Sequence, residues 1–142
     1  MELMDTIEVS MPIRILCVED YADIARYLRM LLEFDGYEVT IADSLAQGLT
    51  SIRTQPFDLI LLDYGLPYGT GLDLCREARR AGVRTPIVFF TVNDDPFLKS
   101  LAVGAGAQDF IKKGADTKDL LNAIATYAKA ASVSEPLGQI TA

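Results

Sequence analysis

An α/β fold of five consecutive strand–helix units, (βα)5, a doubly wound three-layer sandwich around a parallel sheet, is predicted by three features. From Ile13 onward, apolar runs alternate with amphipathic segments across short connections. Two of those runs, 57–62 and 87–90, are almost wholly apolar, as central strands buried on both faces must be. Two runs also end in carboxylates. Ile15-Leu16-Cys17-Val18 leads into Glu19-Asp20, and Leu59-Ile60-Leu61-Leu62 leads into Asp63, after which Tyr64-Gly65-Leu66-Pro67 turns the chain away. Right-handed crossovers then force the helices onto both faces of the sheet.

The elements follow in order. The first strand is 13–18. The first helix carries Ile24, Tyr27, Leu28, Leu31 and Leu32 on one face at helical spacing, and Asp35-Gly36 stops it. Residues 37–41 alternate apolar and polar, as a half-exposed edge strand does. The second helix uses Leu45, Leu49 and Ile52, with Asp43 or Ser44 as its cap. A third helix, about 70–81, separates the two apolar strands and ends at Gly82. The fourth begins near Asp94-Asp95-Pro96, a cap followed by a first-turn proline, and carries Phe97, Leu98, Leu101 and Ala105. A short strand, 108–111, precedes a fifth helix, 117–130, that buries Leu120, Leu121, Ile124 and Tyr127. Residues 1–11 read as a loose arm, 12–131 as the domain, and 132–142, with Pro136 and Gly138, as a tail or linker.

The 142 residues suffice for one domain with a proper core. Thirteen Lys and Arg against 20 Asp and Glu give a net charge of -7, which argues against nucleic acid as a ligand, since a phosphate backbone requires a basic face. Arg76, Arg79, Arg80 and Arg84 cluster but are interrupted by Asp73 and Glu77, as on a solvated helix face. Cys17 and Cys75 fall within a strand and a helix and read as small core hydrophobes. A reducing, cytoplasmic setting is therefore expected. The acidic N-terminus lacks a signal peptide's basic start, and no apolar run approaches the ~20 residues of a membrane span. The absence of histidine excludes a histidine phosphotransferase, a histidine metal site and a Ser-His-Asp triad.

Strand-end acids stand where open α/β sheets bind ligands. If the two strands are neighbours, Glu19, Asp20 and Asp63 converge on one patch. At roughly 4 Å two such charges repel by about 4 kcal/mol at an effective dielectric near 20, so the cluster calls for a cation. A lone acid there would be read as a helix cap; three move the reading to a metal site. Other chemistries fail on the residues. There is no G-x-x-x-x-G-K-[ST] and no G-x-G-x-x-G after the first strand. A phosphatase with a second Asp two residues after the first would need an acid where Gly65 stands.

The combined pattern resembles the receiver domain of two-component response regulators, over roughly residues 12–131. The matching residues are Glu19-Asp20, Asp63, Thr91 and Lys113, each at the carboxyl end of its own strand. Asp63-x-Gly65-Leu66-Pro67, Gly69-x-Gly71 and Gly106-Ala107-Gln108-Asp109-Phe110 support it. The resemblance implies a sheet of order 2-1-3-4-5 and a role for each residue. Asp63 takes a phosphoryl group from a histidine kinase or histidine phosphotransfer protein, as an acyl phosphate. Mg2+ is held by Asp20, Asp63 and the carbonyl of Gly65, with Glu19 acting through water. Lys113 pairs with Asp63 and then with the phosphoryl oxygens, and Thr91 hydrogen-bonds one of those oxygens. Phe110 occupies the aromatic switch position, with a plain core aromatic as the other reading. The face of the fourth helix, fifth strand and fifth helix then changes shape for a downstream partner. External substrates are not implied, because the chemistry is the domain's own phosphorylation and dephosphorylation.

Three residues depart from the family's habit. Gly114 replaces the proline that often follows the lysine, so the 113–114 bond should be trans and the loop freer. Val92 stands where Ala or Gly is usual and would narrow the entry for phosphodonor and water, while Asn93 could hold that water or obstruct it. Ala123 stands where winged-helix members carry an Arg used in dimer pairing, leaving homodimerisation open. The alternative function is a receiver-like scaffold that no longer switches and serves only as a protein-binding module. With eleven residues after Ala131, the chain is read either as acting alone or as a fragment of a longer regulator.

Overall fold

The computed structural model describes residues 11–93 and 95–141, with side chains through residue 129. Five parallel strands form the main sheet: β1 (Arg14–Val18), β2 (Glu38–Ala42), β3 (Leu59–Leu62), β6 (Ile87–Thr91) and β7 (Asp109–Lys112). Their order is β2-β1-β3-β6-β7. Counting only these five strands, that is the 2-1-3-4-5 order expected. Two short antiparallel strands, β4 (Gly65–Leu66) and β5 (Gly69–Thr70), form a hairpin beyond β3. The helices are α1 (Ala22–Phe34), α2 (Leu45–Thr54), α3 (Gly71–Arg80), α4 (Pro96–Gly104) and α5 (Thr117–Thr141).

Strand periodicity divides the core into two layers. Leu16, Val18, Ile60, Leu62, Ile87 and Phe89 face α2, α3 and α4. Their sequence neighbours Ile15, Cys17, Leu59, Leu61 and Val88 face α1 and α5 through Leu28, Leu32, Leu120 and Ile124. A one-residue slip of any central strand would exchange its two faces. Cys17 is fully buried, and desolvation pushes its thiol up to about 12, which leaves it inert. Gly36 and Gly82 end α1 and α3 with φ of +91° and +86°, a region glycine enters without steric cost. Ser44 caps α2 by accepting the Gln47 N–H at 3.1 Å. Thr70 and Asp73 form a reciprocal capping box at the start of α3.

Several expectations change. The hairpin β4–β5 replaces a bare turn, with Pro67 and Tyr68 between its strands. The buried residues of α4 are Leu98 and Ala102, whereas Phe97 is 77% exposed and Leu101 49%. An apolar residue near a helix start is thus no guide to which side faces the sheet. The last helix continues past residue 130 to Thr141, where a tail or linker is expected. Residues 1–10 of the arm expected over 1–11, and the Asp94 part of the α4 cap, lie outside the described residues, while Asp95 caps α4 by accepting the Phe97 N–H at 3.0 Å.

Candidate functional site

The carboxyl ends of β1, β3, β6 and β7 meet at one edge, and register brings their terminal residues together. Val18 pairs with Leu62, so the next residues, Glu19 and Asp63, leave the sheet side by side. The Asp63 N–H donates to the Val18 carbonyl at 3.0 Å, and the Glu19 N–H to the Ala42 carbonyl at 2.9 Å. Thr91 pairs with Lys112, and the Lys113 N–H donates to the Thr91 carbonyl at 2.7 Å. Strand alternation therefore aims Lys113, not the exposed Lys112, at the acids.

Glu19, Asp20 and Asp63 each present a carboxylate oxygen within 4.8 Å of the others. Lys113 Nζ donates to Glu19 Oε1 at 2.6 Å and to Asp63 Oδ2 at 3.2 Å. The side chains of Glu19, Lys113 and Asp63 are 3%, 12% and 12% exposed, whereas Asp20 is exposed. Burial raises the Glu19 carboxyl above its ordinary value; the Lys113 hydrogen bond pulls it back and the Asp63 charge adds to the rise. The backbone fixes the remaining oxygens: the Tyr21 N–H donates to Glu19 Oε2 at 3.2 Å and the Tyr64 N–H to Asp63 Oδ1 at 2.8 Å. One ammonium against three carboxylates leaves an excess of negative charge, and an all-oxygen donor set with an exposed Asp20 suits a hard cation that keeps water.

Thr91 is buried at the end of β6, and its Oγ1 accepts a long 3.4 Å bond from the Asn93 N–H. Val92 is 70% exposed. Gly65 is exposed, and a Cβ there would meet nothing within 4 Å. Phe110 packs inward, stacked on Phe89 with centroids 6.1 Å apart. Gly114 has φ +94° inside a turn closed by the Ala115 N–H on the Lys112 carbonyl at 3.2 Å. The 113–114 bond is trans as expected, but the loop is a defined turn that proline's fixed φ could not enter.

Two features escape a reading of the sequence alone. Glu19 is a direct partner of Lys113, the closer of its two acids. Gly71 is a steric requirement, since a Cβ there would lie 2.3 Å from the Asp63 carbonyl oxygen and 2.9 Å from Phe89. Its N–H donates to the Tyr64 carbonyl at 2.7 Å, fastening α3 beneath the loop that bears Asp63. The G-x-G spacing was the available signal.

The family described as the response regulator receiver domain matches residues 15–125. The chain belongs to that family, a signalling domain of two-component systems. Among similar proteins, the transcriptional regulatory protein DltR of Streptococcus agalactiae is 39% identical over 108 residues, 76% of this chain and 48% of that protein. The KDP operon transcriptional regulatory protein KdpE of Escherichia coli is 38% identical over 99 residues, 70% of this chain and 44% of that one. The chain thus spans about half the length of the curated relatives it matches. A CheY-like response regulator receiver domain protein from Methanospirillum hungatei superposes with a TM-score of 0.82 at 30% identity, covering 87% of this chain and 99% of its own. Among the described residues no helix is long and apolar enough to cross a membrane.

Proposed function

We propose that this receiver domain accepts a phosphoryl group on Asp63 and uses it to reshape the face formed by α4, β7 and α5. The observation that carries the reading is Lys113 bridging Glu19 and Asp63 at the sheet edge. An Asp63 carboxylate oxygen attacks phosphorus, and the bond from phosphorus to the donor breaks as the acyl phosphate forms. Asp20, Asp63 and the Gly65 carbonyl would hold Mg2+, with Glu19 acting through water, and the cation would neutralise charge on the phosphoryl oxygens. Lys113 follows the new negative charge, and the Thr91 hydroxyl donates to a phosphoryl oxygen.

The added charge of about -1.5 to -2 then favours a second packing in which Thr91 has moved and Phe110 fills the space it leaves. This is a population shift between two arrangements. Family membership supports a histidine kinase or phosphotransfer protein as donor and a protein as downstream partner. The net charge of -7 supports a domain that does not itself bind nucleic acid.

The test is incubation with Mg2+ and acetyl phosphate followed by intact mass measurement. Gain of one phosphoryl group, prevented by a chelator, is expected. A chain that stays unmodified across the usable pH range is instead the non-switching scaffold.

A further inference from the structure

Arg79, at the end of α3, has all five guanidinium N–H groups engaged, and among the described residues no carboxylate pairs with it. Nε and Nη2 donate to the Gly106 carbonyl at 3.1 and 2.7 Å. Nη1 donates to the Val83 and Thr85 carbonyls at 2.9 and 2.8 Å. Nη2 also reaches Gln108 Oε1 at 3.1 Å, which accepts the Ile87 N–H at 2.8 Å. One side chain thus joins the end of α3, the start of β6 and the loop that follows α4. One turn earlier, Cys75 Sγ donates to the Ala105 carbonyl at 3.3 Å. Gly106 is shaped to receive the guanidinium: its φ is +109°, and a Cβ there would lie 2.8 Å from Arg79 Cγ and Nε.

The other end of α4 is held differently. Each end of the helix buries one residue, Leu98 in the first turn and Ala102 in the last, and the first turn also exposes Phe97. The loop entering it exposes Val92 and is tied to Thr91 by the 3.4 Å bond from Asn93. So α4 is clamped by polar contacts where it leaves for β7, whereas among the described residues the buried Leu98 and the long Asn93 bond hold it where it meets the phospho-acceptor edge.

We propose that Arg79 is a positioning residue that anchors the C-terminal end of α4, so that movement of Thr91 swings the helix about that end. The swing rests on the function proposed above; the anchor does not. Phe97, exposed in the first turn at the free end, sweeps further than Val103, and the signalling face changes most close to Asp63. A lysine at 79 keeps the charge but cannot span four oxygens with a planar fork.

Amide hydrogen exchange on the full chain tests both parts. In the unphosphorylated protein the Ala105, Gly106 and Ala107 amides should exchange more slowly than those of Ser100 and Leu101. That is the reverse of ordinary fraying, which loosens both ends of a helix. Arg79→Lys should lower protection at Ala105 to Ala107 by about 10-fold relative to the Ile15 and Leu61 amides in the central sheet. Normalising to those strands removes any global loss of stability. Gln108→Ala, which removes a single oxygen from the cluster, should act in the same direction if Arg79→Lys does not fold. Equal exchange at the two ends, or protection at Ala105 to Ala107 that follows the central strands in both variants, overturns the anchor.

With beryllofluoride and Mg2+ as the probe, changes should concentrate at Phe97 to Leu101 in the natural chain and spread to Gln108 in Arg79→Lys. Equal change at both ends of α4 in the natural chain overturns the swing. If amides beside Asp63 and Lys113 do not respond at all, the phospho-acceptor reading fails, while the resting gradient still decides the anchor.

Discussion

Lys113 stands 2.6 Å from Glu19 and 3.2 Å from Asp63, so in the unphosphorylated chain its firmer partner is the acid that is not the proposed acceptor. The lysine does not have to break a tight pair with Asp63 before that carboxylate reacts. It remains tethered by Glu19 beside the place where new charge would appear.

Removing the tether leaves Glu19 and Asp63 facing each other with little solvent around them. Lys113→Met should therefore destabilise the metal-free protein at pH 7 by about 3 kcal/mol, the scale of a broken buried pair. The loss should shrink towards pH 4.5 as Glu19 takes up a proton. Urea unfolding at the two pH values measures both effects, and an equal loss at each would contradict the pairing.

Glu19 also sets a pH dependence whose sign follows from burial. Its carboxyl is raised in the folded chain above the ordinary 4.5, so folding favours the protonated form. The associated stability is present below pH 4.5 and is lost as pH rises through the raised value. Glu19→Gln retains an oxygen for Lys113 and removes the titration. Its metal-free melting curve should be flatter than that of the natural chain from pH 4.5 upwards, and relatively more stable at pH 7. An identical pH profile in the two proteins would remove Glu19 as the cause.

Mg2+ should stabilise the fold by mass action, because the unfolded chain does not gather Glu19, Asp20 and Asp63. A melting midpoint that rises with millimolar Mg2+, and rises much less in Asp20→Asn, is the expected outcome. Affinity should be modest, since the cation keeps several waters. No rise in either protein would count against the metal site.

Val92 would bear on the lifetime of the proposed phosphorylated state. Its two methyl groups stand exposed beside Thr91 rather than packed into the core, and β-branching restricts the rotamers open to it. Val92→Ala should speed both phosphorylation by small donors and loss of the phosphoryl group by about 10-fold, or ~1.4 kcal/mol of barrier. Unchanged rates with labelling intact would show that valine is not the gate.

Much of this was legible in the residues. Strand-end acids, two all-apolar strands and the order Glu19-Asp20, Asp63, Thr91, Lys113 specify the sheet edge, because register alone brings those positions together. What was not legible depends on distances between segments far apart in the chain. Nothing local tells Lys113 to lie closer to Glu19 than to Asp63, or tells Gly71 that the Asp63 carbonyl sits where its Cβ would be. In α4, Phe97 and Leu101 have the hydrophobicity of core residues, yet Leu98 and Ala102 face the sheet. Hydrophobicity there did not distinguish a buried face from an exposed one. Gly114 was visible as the loss of a proline, but not as the positive-φ corner of a hydrogen-bonded turn.

Phosphoryl transfer to Asp63 is the central claim, and intact mass tests it most directly. Asp63→Asn and Asp58→Asn are incubated with acetyl phosphate and Mg2+ beside the natural chain. Asp58 makes a suitable control, since it lies on the opposite edge of the sheet, accepting the Arg14 N–H at 2.8 Å. The natural chain and Asp58→Asn should each gain one phosphoryl group, and Asp63→Asn none. Equal labelling of the two variants would contradict the account.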